Sequence, residues 1–261
     1  MSRQTQKLPN LLKAIPEGLL VITEWLKKRG VSRQLAAKYV ESGWLESPAR
    51  GVYRKPGASL QWQDLVASLD WLGYRVRVGG ASALELHGAS HYLRLAKRPT
   101  VHLYISRALP AWASKVTPGV VFTFNYNRLF KESLNQKLAV TNVAWRFPEH
   151  PLPVSSLERA VLELLESVPA KVSFESADKI MEGLVNLRPQ SLMELLTSCT
   201  SIRVKRLFLW FAERHGHAWF KRLDRKRIAL GMGKRQIVRG GRLDLKYLIT
   251  VPREMTGAPG V

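Results

Sequence analysis

The first candidate for chemistry is a set of basic and amide side chains at the start of a short helix, whose predicted N-cap is Ser32. Leu35 and Tyr39 recur with helical spacing, which leaves Arg33, Gln34 and Lys38 on the opposite face. Arginine can bind guanine and glutamine can bind adenine through paired hydrogen bonds, whereas lysine suits contacts with phosphate. This set therefore predicts a helix that reads the major groove of duplex DNA.

A β-hairpin after this helix is predicted to add further cations. Residues 44–46 and 52–54 have the composition of strands, and residues 47–51 that of a turn. Two helices joined near Gly30 and followed by a hairpin are typical of a winged helix-turn-helix. The alternative is a charged surface helix and hairpin that bind nothing. The predicted DNA-binding residues are Ser32, Arg33, Gln34, Lys38, Arg50, Tyr53, Arg54 and Lys55.

A second and denser group of cations lies near the C-terminus. Residues 201–253 contain 15 Lys and Arg against 3 Asp and Glu, whereas residues 58–200 contain 15 against 12. The whole chain has a formal net charge of +21, and such a field attracts polyanions. The dense run indicates a surface for DNA, RNA or an acidic protein, or else a solvated basic face. Its members are Lys221, Arg222, Arg225, Lys226, Arg227, Lys234, Arg235, Arg239 and Arg242.

Catalytic and metal chemistry are not predicted. His87 and His91 are four residues apart, but a glycine between them interrupts the helix that would align them. No cluster of carboxylates accompanies His215, His217 or Asp178, and a nuclease would need one to hold Mg²⁺. We therefore expect no catalytic residues, no metal and no cofactor. A metal-dependent nuclease remains as a distant alternative.

The cellular setting follows from what the sequence lacks. Cys199 is the single cysteine, so an internal disulfide is impossible, and its helical apolar surroundings predict a buried, inert thiol. The N-terminal residues do not resemble a signal peptide, and no apolar run reaches about 18 residues. We expect a cytoplasmic protein with no membrane contact.

The elements that must position these residues indicate an α+β fold. Residues 101–105, 120–126 and 142–147 alternate like strands of a mostly antiparallel sheet, and helices are predicted near residues 65–72 and 83–87. From residue 155 onward, Ser155 and Glu158 form a predicted capping box that opens the first of four helices. Residues 243–249 are predicted as a closing strand.

These elements predict two domains. A winged helix-turn-helix at residues 1–57 would end at a linker beside Pro56 and Gly57. Residues 58–261 would form the second domain, with a sheet-containing part at 58–150 and a helical, basic part at 151–261.

Three stretches in this order resemble AbiEi-type antitoxins, which are transcriptional regulators from bacterial type IV toxin–antitoxin and phage-resistance modules. They are residues 32–53 with Gly43-Trp44-Leu45 and Arg50-Gly51-Val52-Tyr53, residues 79–88 from Gly79-Gly80-Ala81-Ser82 onward, and residues 154–160. The resemblance implies an N-terminal winged helix that represses its own operon and a following antitoxin domain. It also implies a cognate nucleotidyltransferase toxin, antagonised without a stable complex, and it carries over no catalytic residue.

Two further expectations concern the operator DNA and a rival function. One small winged helix covers too little DNA for high specificity, so an operator of paired or inverted repeats is expected. The rival function is an RNA-binding or ribosome-associated protein that works through the C-terminal basic residues.

Overall fold

The structure is a computed structural model that describes residues 7–89, 99–116, 119–126, 128–131, 134 and 139–255. These residues combine helices with three sheets, so the α+β prediction is confirmed. They fall into two compact units. One comprises the described residues within Met1–Arg77, Arg98–Phe124 and Asn142–Pro153, and the other those within Val78–Lys97, Asn125–Thr141 and Val154–Val261.

The first elements form the predicted winged helix-turn-helix. In chain order they are α1 (Lys7–Ala14), β1 (Val21–Ile22), α2 (Thr23–Lys27), α3 (Arg33–Glu41), β2 (Glu46–Ala49) and β3 (Val52–Arg54). The three strands form an antiparallel sheet in the order β1-β3-β2.

Two local predictions in this region were wrong. The i, i+3, i+4 spacing of Ile22, Trp25 and Leu26 predicts a helix that includes Ile22. Ile22 instead lies in β1, because it pairs with Val52 of β3. Trp44 and Leu45 precede β2 instead of belonging to it. Their backbone N–H groups both donate to the carbonyl of Tyr39, at 2.9 and 3.1 Å, and so satisfy the C-terminal end of α3.

The apolar core of the winged helix-turn-helix is shared with the next helix, α4 (Trp62–Trp71). Trp71 and Leu72 pack against this core, and the rings of Trp25 and Trp71 have centroids 5.6 Å apart. In addition, the N–H of Leu20 donates to the Ser68 hydroxyl at 2.8 Å. The division at residue 57 stays a prediction, and cutting the chain there would uncover one face of α4.

A five-stranded sheet has the order β6-β5-β4-β8-β7. Its elements are β4 (Val76–Val78), β5 (Thr100–Ile105), β6 (Val121–Tyr126), β7 (Val140–Val143) and β8 (Leu152–Ser155), with α5 (Gly80–Leu86) after β4. β4 and β8 run parallel, with Val78 opposite Val154. The strand predicted at residues 142–147 ends early at Val143, and the indole of Trp145 instead donates to Asp64 Oδ1 at 2.8 Å.

The four predicted helices after residue 155 are present as α6 (Leu157–Glu166), α7 (Phe174–Gly183), α8 (Pro189–Ser198) and α9 (Ile202–His215). The predicted cap of the first was wrong by one residue. Ser156 is the N-cap and accepts from the Arg159 N–H, whereas Ser155 ends β8. Cys199 is buried as predicted, and burial raises the pKa of its thiol to about 11, so the thiol is protonated at neutral pH.

The chain continues through short elements: 3-10 helices at Phe220–Arg222, Arg225–Arg227 and Arg253–Met255, and strands β9 (Arg242–Asp244) and β10 (Ile249–Val251). The single closing strand predicted at 243–249 was wrong, because the chain reverses between β9 and β10 to make an antiparallel hairpin. Asp244 Oδ1 accepts from the Tyr247 N–H at 2.7 Å and closes that turn. Within the described residues, no helix is long and apolar enough to cross a membrane.

Candidate nucleic-acid interface

The outer face of α3 carries the predicted base-reading residues. Ser32 caps the helix, its hydroxyl accepting from the Leu35 N–H at 3.2 Å, and this confirms the predicted start. Arg33, Gln34 and Lys38 are exposed, and among the described residues none of the three side chains makes a hydrogen bond or an ion pair. The helix thus presents two cations and an amide directly to solvent.

The tip of the wing is fixed to α2. Thr23 donates to the carbonyl of Gly51 from its N–H at 3.0 Å and from its hydroxyl at 3.2 Å. Gly51 has φ +76°, and a Cβ there would lie 3.1 Å from the Thr23 hydroxyl oxygen, so the turn favours glycine on both counts. Beside it Arg50 is exposed and, among the residues described, has no carboxylate partner.

Two of the predicted DNA-binding residues instead hold the wing together. Tyr53 is 6% exposed and belongs to the apolar core. The guanidinium of Arg54 lies 2.6 Å from Glu46 Oε2 and donates to the Ala58 carbonyl at 3.0 Å. Lys55 is partly exposed, with Nζ 3.6 Å from Glu17 Oε2. The interface proposed below therefore does not use Tyr53 or Arg54.

Trp44 is an interface candidate that sequence analysis missed. It follows α3 and its side chain is 50% exposed, although the sequence pattern predicts a strand residue there. An exposed tryptophan offers a partner both an apolar ring and a hydrogen-bond donor. No sequence signal distinguishes it from the buried Leu45 that follows.

The nine C-terminal basic residues are all exposed. Most of these side chains lie on two consecutive 3-10 helices and on the turns after them. Arg242 is the first residue of β9. Among the residues that the structure describes, none of the nine lies within 4.0 Å of a carboxylate. The guanidinium of Arg225 instead lies over the ring of Phe220, 5.1 Å from its centroid. This surface, which we call the C-terminal basic surface, is therefore strongly positive.

A buried arginine of α9 anchors the backbone of this surface. Arg206 is 1% exposed and donates to the carbonyls of Leu230 at 2.8 Å, Gly231 at 3.0 Å, Gly233 at 2.6 Å and Leu248 at 3.2 Å. The sequence places it among basic residues, where a solvent-exposed cation would be expected.

Replacing Arg206 with methionine is expected to lower the free energy of unfolding by about 2–4 kcal/mol, because four backbone carbonyls would lose the charged donor that they share. Urea unfolding followed by circular dichroism measures the change. Arg227→Met, at an exposed position on the same surface, serves as the matched control and should cost under about 0.5 kcal/mol. Equal losses in the two variants would contradict the anchoring role.

A buried polar cluster joins two of the stretches that carry the family resemblance. Glu163 accepts from the Gly80 N–H at 3.0 Å, from the Ser155 hydroxyl at 2.9 Å and from Arg159 Nε at 2.8 Å. His87 Nε2 lies 2.9 Å from the Ser155 carbonyl oxygen. The Gly79–Gly88 and Val154–Ala160 stretches therefore meet in the folded chain, and their polar residues stabilise the packing of α5 against α6.

The histidines show no metal-binding arrangement in the part of the chain that the structure describes. No group of three or more His, Cys, Asp or Glu could hold a metal ion there. His215 does have a carboxylate nearby, with Nε2 2.7 Å from Asp178 Oδ1, but Arg214 shares the same oxygen at 3.2 Å. His91 lies outside the described residues.

Family models and a solved structure match this chain. Residues 4–95 match the family model described as transcriptional regulator, AbiEi antitoxin N-terminal domain. Residues 98–252 match the model described as transcriptional regulator, AbiEi antitoxin, type IV toxin–antitoxin system. The fold is similar to that of the RV2827C protein from Mycobacterium tuberculosis, with a TM-score of 0.60 and 16% identity over 94% of this chain and 89% of that one. No curated protein is similar enough in sequence to match.

Proposed function

The chain belongs to the AbiEi antitoxin family of transcriptional regulators from type IV toxin–antitoxin systems, and on that premise we propose that it is an antitoxin that represses its own operon in the cytoplasm. Repression acts through operator DNA bound by α3 and the wing. The observation that carries this assignment is the exposure of Arg33, Gln34, Lys38 and Arg50 on a winged helix-turn-helix, without protein partners among the described residues.

The proposed DNA contacts are of two kinds, to base edges and to backbone phosphates. Arg33 and Gln34, in the first turn of α3, reach base edges in the major groove. Lys38 and Arg50 neutralise backbone phosphates and release counterions, which makes affinity depend on salt. Ser32 fixes the start of the helix, and Lys55 adds a cation behind the wing once its contact with Glu17 opens.

The toxin side of the proposal follows from the family. A nucleotidyltransferase is the cognate toxin, and it is antagonised without a stable complex. We assign this antagonism to the C-terminal basic surface, which competes for the nucleic-acid substrate of the toxin. The density of exposed cations that lack carboxylate partners among the described residues supports this assignment.

Binding of the full-length chain to the DNA upstream of its own gene tests the repressor function. At physiological salt we expect the upstream DNA to bind at least about 10³-fold more tightly than an unrelated duplex of equal length. The protected region should span two half-sites about one helical turn apart. Equal affinity for both duplexes would overturn the assignment, and a footprint confined to one half-site would overturn the expectation of repeats.

We expect that removing positive charge from the C-terminal basic surface abolishes neutralisation of the toxin and leaves repression intact. Replacing Lys221, Arg222, Arg225 and Arg227 with glutamine should abolish growth rescue while operator affinity changes only a few fold. The full chain is used because the winged helix shares its core with α4. A large loss of operator affinity in this variant would show that both surfaces bind the same DNA.

The exposed cations of the C-terminal basic surface favour one other function, the binding of structured RNA. A competition between a structured RNA and the operator duplex at equal salt distinguishes the two functions. Preference for the RNA would replace the repressor assignment.

A further inference from the structure

A cavity of about 640 Å³ lies at the N-terminal end of α8, in the unit that contains α6–α9. Leu187, Pro189 and Trp219 give it an apolar wall, and Gln190, Ser191 and Arg222 contribute polar groups. A volume of this size is in the range that encloses small organic ligands. The cavity lies outside the winged helix. The Arg206 contacts that order the C-terminal basic surface do not involve it either.

The start of α8 is open toward an anion. Arg188 is the N-cap residue but no side chain caps the helix, and Pro189 occupies the first turn. The N–H groups of Gln190 and Ser191 therefore lack acceptors within the helix, at the end where the helix dipole is positive. Such helix starts bind phosphate through backbone N–H groups.

The Ser191 hydroxyl is a second polar group that a ligand could use. Ser191 is 3% exposed and lines the cavity, and no hydrogen bond joins its hydroxyl to a described residue. The oxygen does not belong to the fully buried atoms without a partner, so it is accessible from the cavity and can bond to a group held there. The hydroxyl and the free N–H groups belong to the same turn, so one bound group can use all of them.

The charges around the cavity also favour an anion. Arg222 is exposed and, of the residues described here, no carboxylate lies within 4.0 Å of it. Arg188 is committed to Glu158, with Nε at 3.0 Å from Oε1 and Nη2 at 2.8 Å from Oε2. That pair cancels its own charge, and Arg222 supplies the net positive charge.

We propose that this cavity binds a phosphorylated metabolite of mononucleotide size. Its phosphate lies against the Gln190 and Ser191 N–H groups, the Ser191 hydroxyl and Arg222. Its organic part lies against the apolar wall beside Leu187 and Trp219. A lone phosphate ion would leave most of the volume empty, which is why the ligand is an organic phosphate.

Calorimetric titration of the full-length protein tests the ligand class. The four nucleoside 5′-monophosphates, their nucleosides and inorganic phosphate are compared in the same buffer at physiological salt. We expect at least one monophosphate to bind at least tenfold more tightly than inorganic phosphate, and its nucleoside to show no binding. Equal affinity for phosphate, comparable binding of the nucleoside, or no binding by any monophosphate overturns the proposal.

Variants locate the binding in the cavity. Arg222→Gln and Ser191→Ala are each expected to raise the dissociation constant at least fivefold, whereas Lys226→Gln, which removes one exposed cation outside the cavity, leaves it within twofold. If Ser191→Ala does not fold by circular dichroism, the exposed Arg222 variant decides alone. Equal losses in Arg222→Gln and Lys226→Gln would show a diffuse electrostatic effect and overturn the site.

Discussion

Replacing Arg33, Lys38 and Arg50 together with glutamine is expected to lower the affinity for operator DNA by about 100-fold or more at physiological salt. Loss of the Arg33 contact alone should cost about 1–3 kcal/mol and relax the preference at one base position. Lys38 and Arg50 act on phosphates, so their loss should weaken all sequences equally and flatten the salt dependence by about two units. The three side chains are exposed, so the fold should not change.

The measurement is a gel-shift titration of operator and unrelated duplexes at several salt concentrations. Lys13, Lys115 and Lys171 provide a matched control, because all three are exposed cations outside α3 and the wing. Their replacement with glutamine removes the same charge and should change operator affinity only a few fold. If the two triple variants lost affinity equally, net charge rather than the winged helix would account for binding.

Truncation of Glu163 to alanine is expected to lower the free energy of unfolding by about 3–5 kcal/mol. Arg159 is 3% exposed, so it would lose its carboxylate partner in a buried position. The Gly80 N–H and the Ser155 hydroxyl would lose an acceptor as well. A loss of this size is a large fraction of the free energy of unfolding of a typical domain, which is about 5–15 kcal/mol.

Urea unfolding of the variant and of Glu166→Ala measures this effect. Glu166 lies on the same helix but is exposed, so its truncation should cost under about 0.5 kcal/mol. Glu163→Gln should lose less than the alanine variant, because an amide oxygen can still accept from Gly80 or Ser155. A cost for Glu163→Ala no larger than that for Glu166→Ala would contradict the role of the cluster.

Local signals in the sequence were sufficient to predict which side chains are exposed, where burial depends on the face of a helix. The apolar spacing around Leu35 and Tyr39 correctly placed Arg33, Gln34 and Lys38 on the exposed side of α3. Ser32 and the stripes of α6–α9 were recognised for the same reason, since caps and 3.6-residue periodicity are properties of neighbouring residues. The family resemblance was likewise visible in short ordered stretches and is confirmed by the family models.

The burial of strand residues was harder to predict. Tyr53 and Arg54 are both predicted as DNA contacts, but Val52, Tyr53 and Arg54 are all buried. Tyr53 packs into the apolar core of the winged helix-turn-helix, and Arg54 is covered by the groups to which it is bonded. The partner that holds Arg54 is Glu46 on β2, and strand pairing brings the two side chains together.

The sequence by itself determined the winged helix-turn-helix, the run of helices and the two basic segments, because composition, caps and periodicity act over a few neighbouring residues. Only the tertiary structure decided which charged residues are buried. Arg206 and Glu163 lie on amphipathic helices, where a charge predicts a solvent-facing side. They are buried because distant carbonyls, N–H groups and hydroxyls converge on them. The cavity at the start of α8 has the same origin, since residues 185–191 and 218–222 form its wall only after the chain has folded.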